Sequence, residues 1–118
     1  MLSQDLVESV FLAAGNTDLR KSVDGLAAIV KLEFELDPFS PALFAFCNKG
    51  RNKMKILRWD INGFWLYYRR LEHGRFLWPD NGTTAVTQLT YREFRWLLDG
   101  LSPIQKQAHK PITARVIL

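Results

Sequence analysis

The architecture of this chain follows from residues 43–78, which read LFAFCNKGRNKMKILRWDINGFWLYYRRLEHGRFLW. Short apolar runs in this stretch are separated by glycine, asparagine and charged residues, which is the pattern of strands joined by turns. It predicts four strands, which are Leu43–Asn48, Lys53–Ile61, Phe64–Leu71 and Arg75–Trp78. The basic loop KGRN joins the first two, and Asn62-Gly63, a hairpin signal, joins the second and third. We therefore expect an antiparallel meander.

The turn sets the register of the central hairpin. With Asn62 and Gly63 as the central residues of a type I′ turn, counting outward gives one apolar face, with the pairs Ile61 and Phe64, Trp59 and Leu66, Leu57 and Tyr68. Trp59, Phe64 and Leu66 are the predicted buried residues. The other face then carries the pairs Asp60 and Trp65, Arg58 and Tyr67, Ile56 and Arg69. A loop centred on Ile61-Asn62 would pair the strands differently and is expected to scramble this sorting.

The segments that flank the meander predict two further strands and two helices. A β-competent run extends from about Val7 to Ala14, and a helix is predicted over 18–34 with Thr17 as its cap. Thr84–Leu89 is a further strand candidate after the PDNG loop at 79–82.

The second helix is predicted over 90–99. Thr90 and Glu93 form a capping-box pattern, and Gly100 ends the helix. Its buried stripe is Phe94, Leu97 and Leu98. We predict an α+β fold, a mostly antiparallel β-meander sheet covered on one side by both helices. Residues 1–101 form a single domain in this interpretation, and 102–118 form a tail that is either docked or disordered.

Charge is distributed unevenly along the 118 residues. The net charge is +4, but residues 1–48 carry −4, residues 49–75 carry +6 and residues 76–118 carry +2. Residues 43–78 hold nine of the fifteen aromatic residues and eight of the sixteen lysines and arginines. Such a segment can attract a polyanion, and the alternative is a strand edge that its cations protect against aggregation.

Several classes of protein are disfavoured. The N-terminus carries Asp5 and Glu8 where a secretory signal is basic, and no apolar run is long enough to span a bilayer. One cysteine, Cys47, suits a reducing compartment and a buried position. Cys47, His73 and His109 are too scattered for a zinc site, and there is no phosphate-binding glycine loop. We expect a cytoplasmic protein with no membrane contact, cofactor or catalytic residues.

Aromatic and cationic residues interleaved on strands are typical of surfaces that stack on bases and neutralise phosphates. The leading hypothesis is therefore a nucleic-acid-binding module. Lys49, Arg51 and Lys53 in and beside the loop would contact phosphates. The exposed sheet face would carry Arg58, Trp65, Tyr67 and Arg69, and Arg70 and Arg75 would extend the positive surface.

Two other functions compete with this hypothesis. In the first, the chain is a protein–protein adaptor whose interface anchors are Trp65, Tyr67, Trp78 and Trp96, since tryptophan and tyrosine are enriched at binding hot spots. In the second, the chain is a metal-dependent nuclease built from the carboxylates of Asp18, Asp24, Asp37 and Asp60. Each of these except Asp24 has an ordinary structural role in a helix start, a loop or a hairpin.

Three segments together resemble a known family. They are FLAAGNTDLRKSVDGLAAIV at 11–30, FELDPFSPALFAFCNKGRNKMKILRWDINGFWLYYRRLEHGRFLWP at 34–79, and LTYREFRWLLDGL at 89–101. They closely resemble the TnpB-type accessory proteins encoded by the second open reading frame of the insertion-sequence family numbered sixty-six. An unrelated RNA-guided nuclease shares that name, but this chain is far too short for it and lacks its zinc-binding cysteines.

The resemblance implies a role in DNA transposition, beside a separate and larger transposase that carries the Asp-Asp-Glu catalytic site. It implies DNA at the transposon ends and the element-encoded transposase as partners. It supplies no catalytic residues to place on this chain.

Overall fold

The computed structural model describes residues 9–79 and 84–100. In chain order the elements are β1 (Ser9–Ala13), α1 (Val23–Leu32), β2 (Leu43–Cys47), β3 (Lys53–Asp60), β4 (Gly63–Arg70), β5 (Val86–Thr90) and α2 (Tyr91–Leu98). The strands form one sheet in the order β4-β3-β2-β1-β5. The tail, most of the PDNG loop and the first residues lie outside the described ranges, so the predictions made for them stay predictions.

The sheet is mixed, and three of its four strand pairs are antiparallel. β2–β3, β3–β4 and β1–β5 are antiparallel, whereas β1 and β2 are parallel and aligned with Val10 beside Leu43. Parallel strands need a crossover connection, and α1 lies within the one that joins β1 to β2. The α+β fold and the mostly antiparallel sheet are confirmed, with one parallel pair added.

The two helices cover opposite faces of the sheet. On one, the α1 face, Leu26 and Val30 of α1 pack with Phe44, Phe46 and Leu57. On the other, the α2 face, a second cluster joins α2 to the sheet, with Phe94, Leu97, Leu43, Ala45, Cys47 and Met54. The prediction that both helices lie on one side is wrong. The physical reason is β2, whose five residues LFAFC are all buried, so that apolar side chains point to both faces and both need cover.

The register of the hairpin differs from the predicted one. Asp60 lies opposite Gly63 and Trp59 opposite Phe64, so the turn is centred on Ile61-Asn62. The predicted partners are wrong, but the pairing has moved by two residues, an even number, and each side chain therefore keeps its face. The expected scrambling does not occur. Packing of Trp59 and Phe64 against each other and against Phe39, with ring centroids 4.8–5.5 Å apart, outweighs the local preference of Asn-Gly.

Two further predictions about this region need correction. Trp59, Phe64 and Leu66 are partly buried and do not form the fully buried core. Residues 75–78 are not a strand: Phe76 is buried, and its N–H donates to the Arg51 carbonyl at 2.7 Å. The segment lies against the β2–β3 loop because Phe76 joins the core of the α2 face.

The helices agree with the sequence to different degrees. At α2, the Thr90 side chain accepts from the Glu93 N–H and the Glu93 side chain accepts from the Thr90 N–H, so the predicted capping box is confirmed. Gly100 follows the helix with a φ of 85°, as its predicted role requires. α1 instead begins at Val23 after Ser22, and Thr17 is not its cap. The Thr17 N–H donates to the Cys47 carbonyl at 2.8 Å, which holds this segment to the end of β2.

Candidate nucleic-acid interface

The four residues predicted as an exposed sheet face, Arg58, Trp65, Tyr67 and Arg69, do share the α2 face. They do not form an open platform. Arg58 is only 8% exposed, between Leu43 and Trp65 on the neighbouring strands, and Tyr67 packs against the core beneath α2. Arg58 is opposite Trp65, so the predicted pairing of Arg58 with Tyr67 is wrong.

Trp65 is the exposed aromatic residue of this face, with 53% of its surface accessible. Its ring stacks on Tyr67 at a centroid distance of 6.2 Å, and its Nε1–H donates to Asp60 Oδ2 at 3.1 Å. A carboxylate bonded to the indole lowers the attraction of this corner for a phosphate.

Arg51 has a structural role that its sequence position did not indicate. Its Nη1 donates to the Gly15 carbonyl at 2.7 Å, and its guanidinium carbon lies 5.9 Å from the centroid of the Trp78 ring. Trp78 in turn donates from Nε1 to the Ala13 carbonyl at 2.9 Å. Arg51 and Trp78 therefore tie the β2–β3 loop and the segment after β4 to the end of β1. Trp78, a predicted interface anchor, is partly buried against the core.

Five exposed cations surround the end of the hairpin that is remote from the turn, a region we call the basic end: Lys49, Lys53, Arg69, Arg70 and Arg75. Lys53 lies directly opposite Arg70, and the Leu71 N–H donates to the Asn52 carbonyl at 2.8 Å. Arg70 also forms a 2.9 Å ion pair with Glu72. All five were predicted as nucleic-acid contacts, and the structure brings them to one end of the hairpin.

The loop beneath the basic end is shaped by Asn48. Its Oδ1 accepts from the N–H groups of Asn52 and Lys53, both at 3.0 Å, and its Nδ2 donates to Asn52 Oδ1 at 2.8 Å. Asparagine favours such turns because its short side chain hydrogen-bonds the nearby backbone. The loop is therefore fixed from within, while Lys49 at its outer side is exposed.

The structure adds residues to this region that the sequence hypothesis did not include. Lys55 and Tyr68 lie opposite each other on the α1 face, next to the pair Lys53 and Arg70. Together with Arg20 they line a groove of about 470 Å³ between the hairpin and residues 18–20. Tyr68 is 54% exposed. The sequence feature that could have predicted this groove is the spacing of Lys53 and Lys55. They are two residues apart on β3, so both side chains lie on the same face of the strand.

Asp18 also lines the groove, and Arg20 neutralises it. The Arg20 side chain donates to both carboxylate oxygens at 2.7–3.1 Å, and the Arg20 N–H donates to Oδ1 at 3.0 Å. These hydrogen bonds lower the pKa of Asp18 from 3.8 to about 2. The positive charge contributed by Lys53 and Lys55 is therefore not offset by this acid.

The turn end of the hairpin is apolar instead. Ile61, at the turn, is 89% exposed, and Phe39 is 56% exposed where it packs on Trp59 and Phe64. The hairpin thus has two chemically different ends.

The other candidate residues are dispersed. The described residues contain no group of three or more histidine, cysteine, aspartate or glutamate side chains placed to hold a metal ion. Asp24 is exposed on α1, and Asp37 accepts from the Phe39 N–H at 2.9 Å.

Trp96 lies partly buried on α2, with the Arg92 guanidinium 5.4 Å from its ring centroid. Cys47 is buried, and burial raises the pKa of its thiol. Within residues 9–79 and 84–100, neither helix has the length and apolar composition needed to cross a membrane.

Comparison with known proteins places the chain in a family. An uncharacterized protein of Sinorhizobium fredii (strain NBRC 101917 / NGR234), y4hO, is 35% identical over 86 residues, which cover 70% of this chain and 75% of the relative. A second uncharacterized protein of the same organism, y4jC, is 29% identical over 92 residues and 78% of both chains. No solved structure gives a significant match. The sequence profile of the IS66 Orf2-like proteins matches residues 8–108. The chain therefore belongs to the IS66 Orf2-like family, as the three sequence segments predicted.

Proposed function

We propose that this protein is a non-catalytic accessory of transposition that binds nucleic acid through the basic end of its β3–β4 hairpin. Membership of the IS66 Orf2-like family supports the accessory role in transposition. The observation that carries nucleic-acid binding is that five exposed cations lie at one end of the sheet, with Lys53 and Arg70 on its α1 face, Arg69 on its α2 face, and Lys49 and Arg75 in the adjoining loop segments.

The electrostatics of the basic end favour a polyanion. Lys53 and Arg70 face each other across the strands, and like charges in that arrangement repel unless an anion lies near them. Glu72 pairs with Arg70 but is itself exposed, so the pair is screened and weak. A phosphate backbone relieves this repulsion along its length, since each neutralised phosphate releases a condensed counterion.

Charge reversal tests the proposal. A variant with Lys49, Arg69 and Arg75 all changed to Glu is compared with a control in which Lys31, Arg92 and Arg95 are changed to Glu. The control makes the same change in net charge, on exposed residues of the two helices. Binding to labelled transposon-end DNA is measured by fluorescence anisotropy. We expect the first variant to lose binding and the control to retain most of it; equal loss in both variants would contradict a specific interface.

The exposed apolar turn end favours a second candidate function, an adaptor for the transposase. Ile61 and Phe39 present exposed apolar surface at the turn end of the hairpin, and exposed apolar surface of this kind marks protein interaction sites. An Ile61→Ser variant, which changes an exposed side chain at the turn, should lose capture of the purified transposase while keeping DNA binding. Capture that depends on the basic end instead would argue against the adaptor interface at the turn.

A further inference from the structure

The groove between the hairpin and residues 18–20 is open to solvent, has the volume of a small-ligand site, and is lined mostly by polar and charged side chains. Its volume of about 470 Å³ falls within the range of about 300–1,000 Å³ that is usual for such sites. Lys55 holds one wall in place, because its Nζ donates to the Lys21 carbonyl at 3.1 Å. An ammonium group has three donors, so two remain for a ligand.

The charge of the groove selects an anion. Lys53 and Lys55 project from alternate positions of β3 onto the α1 face, and Arg70 lies across from Lys53. The one carboxylate in the lining, that of Asp18, is bonded by Arg20. An anionic group that enters the groove therefore meets ammonium groups and no uncompensated acid among the lining residues.

Tyr68 adds an aromatic surface to this positive groove. It lies directly across from Lys55 and is 54% exposed, although its strand neighbours on the same face, Phe64 and Leu66, are partly buried. Trp65 has similar exposure, but it is on the opposite face, beside Asp60. Tyr68 is thus an exposed aromatic residue of the hairpin with Lys55 directly across from it and Lys53 next to Lys55 on the same face.

A base can stack on the exposed Tyr68 ring only if one of its faces is free, and in a duplex the faces of each base are covered by its neighbours. Single-stranded polynucleotides are bound by this combination of a positive groove for the backbone and an aromatic ring for a base. We propose that the groove binds one nucleotide of a single strand, with the base stacked on Tyr68 and the adjacent phosphate between Lys53 and Lys55. The inference rests on the proposed function and specifies the form of its ligand.

The test compares Tyr68→Ala with Tyr68→Phe, which keeps the ring. Anisotropy is measured with labelled oligothymidylate of about 12 nucleotides, with oligouridylate of equal length, and with a duplex of equal length. We expect Tyr68→Ala to weaken binding of the single strands about tenfold and to leave the duplex unchanged, while Tyr68→Phe matches the unaltered protein. Trp65→Ala should leave single-strand binding unchanged. The deoxy and ribo strands distinguish DNA from RNA as the source of the nucleotide.

A second measurement does not depend on substitution. The ring proton resonances of Tyr68, identified by their absence from the Tyr68→Phe spectrum, should shift when oligothymidylate is added to the unaltered protein. If Tyr68→Ala does not affect binding and the Tyr68 resonances do not move, the proposal that the groove binds a nucleotide is refuted. The proposed function is then unaffected. Absence of binding to every probe overturns both.

Discussion

Lys55 on β3 lies directly opposite Tyr68 on β4, and its Nζ donates to the Lys21 carbonyl 3.1 Å away. This contact joins the hairpin to the segment that leads into α1, two parts of the chain separated by 34 residues. It also places an exposed ring beside an ammonium group. The positive groove is therefore a product of the tertiary fold, because the turn at 18–20 supplies one wall and the hairpin supplies the other.

Removal of the Arg20 guanidinium should change the charge state of the groove. Arg20→Ala takes away the side-chain hydrogen bonds, which are the largest cause of the low pKa of Asp18, but keeps the backbone N–H that donates to Oδ1, so this pKa should rise part of the way from about 2 towards its ordinary value of 3.8. An uncompensated carboxylate then lies in the groove at neutral pH and should weaken oligothymidylate binding. Carboxyl carbon chemical shifts followed against pH give the pKa. An unchanged pKa would contradict the role assigned to Arg20.

Arg51 and Lys49 are neighbouring loop cations with different predicted effects. Arg51→Ala should lower the free energy of unfolding by about 1–2 kcal/mol, because it removes the hydrogen bond to Gly15 and the contact with the Trp78 ring. Lys49→Ala should change it by less than about 0.5 kcal/mol, since Lys49 is exposed. Urea unfolding measures both. Equal destabilisation by the two substitutions would be inconsistent with a structural role for Arg51.

The turn residue Ile61 offers a stabilising substitution. Its φ is 52°, a region in which a side chain with a Cβ is disfavoured by about 1–2 kcal/mol. Because the side chain is 89% exposed, its removal costs little packing. Ile61→Gly should raise the free energy of unfolding by about 1 kcal/mol, whereas Ile61→Ala, which keeps the Cβ, should not. If alanine stabilises as much as glycine, the turn is not centred on Ile61-Asn62.

The two candidate helix caps make a matched pair. Thr90→Ala should destabilise the protein by about 1 kcal/mol, because the Glu93 N–H loses its acceptor at the start of α2. Thr17→Ala should have a smaller effect, since α1 begins at Val23 and Thr17 is held by its backbone N–H. Thermal melting compares the two variants. A larger effect at Thr17 would favour the helix start predicted from sequence.

Burial of Cys47 predicts both low reactivity and a pH dependence. Burial raises the pKa of the folded thiol above that of the unfolded one. Above about pH 8.5 the unfolded thiol loses its proton while the folded thiol keeps it, so stability falls as pH rises through this window. Iodoacetamide at about pH 8 should alkylate the native protein far more slowly than the urea-unfolded protein. Similar rates in the two states would exclude a buried thiol.

Local signals were sufficient for much of this fold. The capping box at Thr90, the meander of β2, β3 and β4, and the assignment of hairpin residues to two faces were all predictable, because each depends on residues close in sequence. The hairpin partners were not, because contacts of Trp59 and Phe64 with the distant Phe39 decide the register.

The candidate site was predictable in composition but not in arrangement. The five cations of the basic end were recognised from charge alone, but burial of Arg58 and the tie between Arg51 and Gly15 depend on long-range packing. Tyr68 was assigned to an apolar face, and that face proved to be open beside Lys55 because residues 18–20 leave a groove there. Alternation along a strand gives the face of a side chain, but not what lies above it.

The central proposal is tested most directly by the salt dependence of oligothymidylate binding to the unaltered protein. If three to five cations of the basic end and the groove contact phosphates, the logarithm of the association constant should fall against the logarithm of salt concentration with a slope of about −2 to −3.5. The charge-reversed variant at Lys49, Arg69 and Arg75 should bind oligothymidylate far more weakly than the unaltered protein at the lowest salt concentration. No measurable binding of oligothymidylate, oligouridylate or duplex at low salt, or binding that is independent of salt, would contradict a nucleic-acid interface on this hairpin.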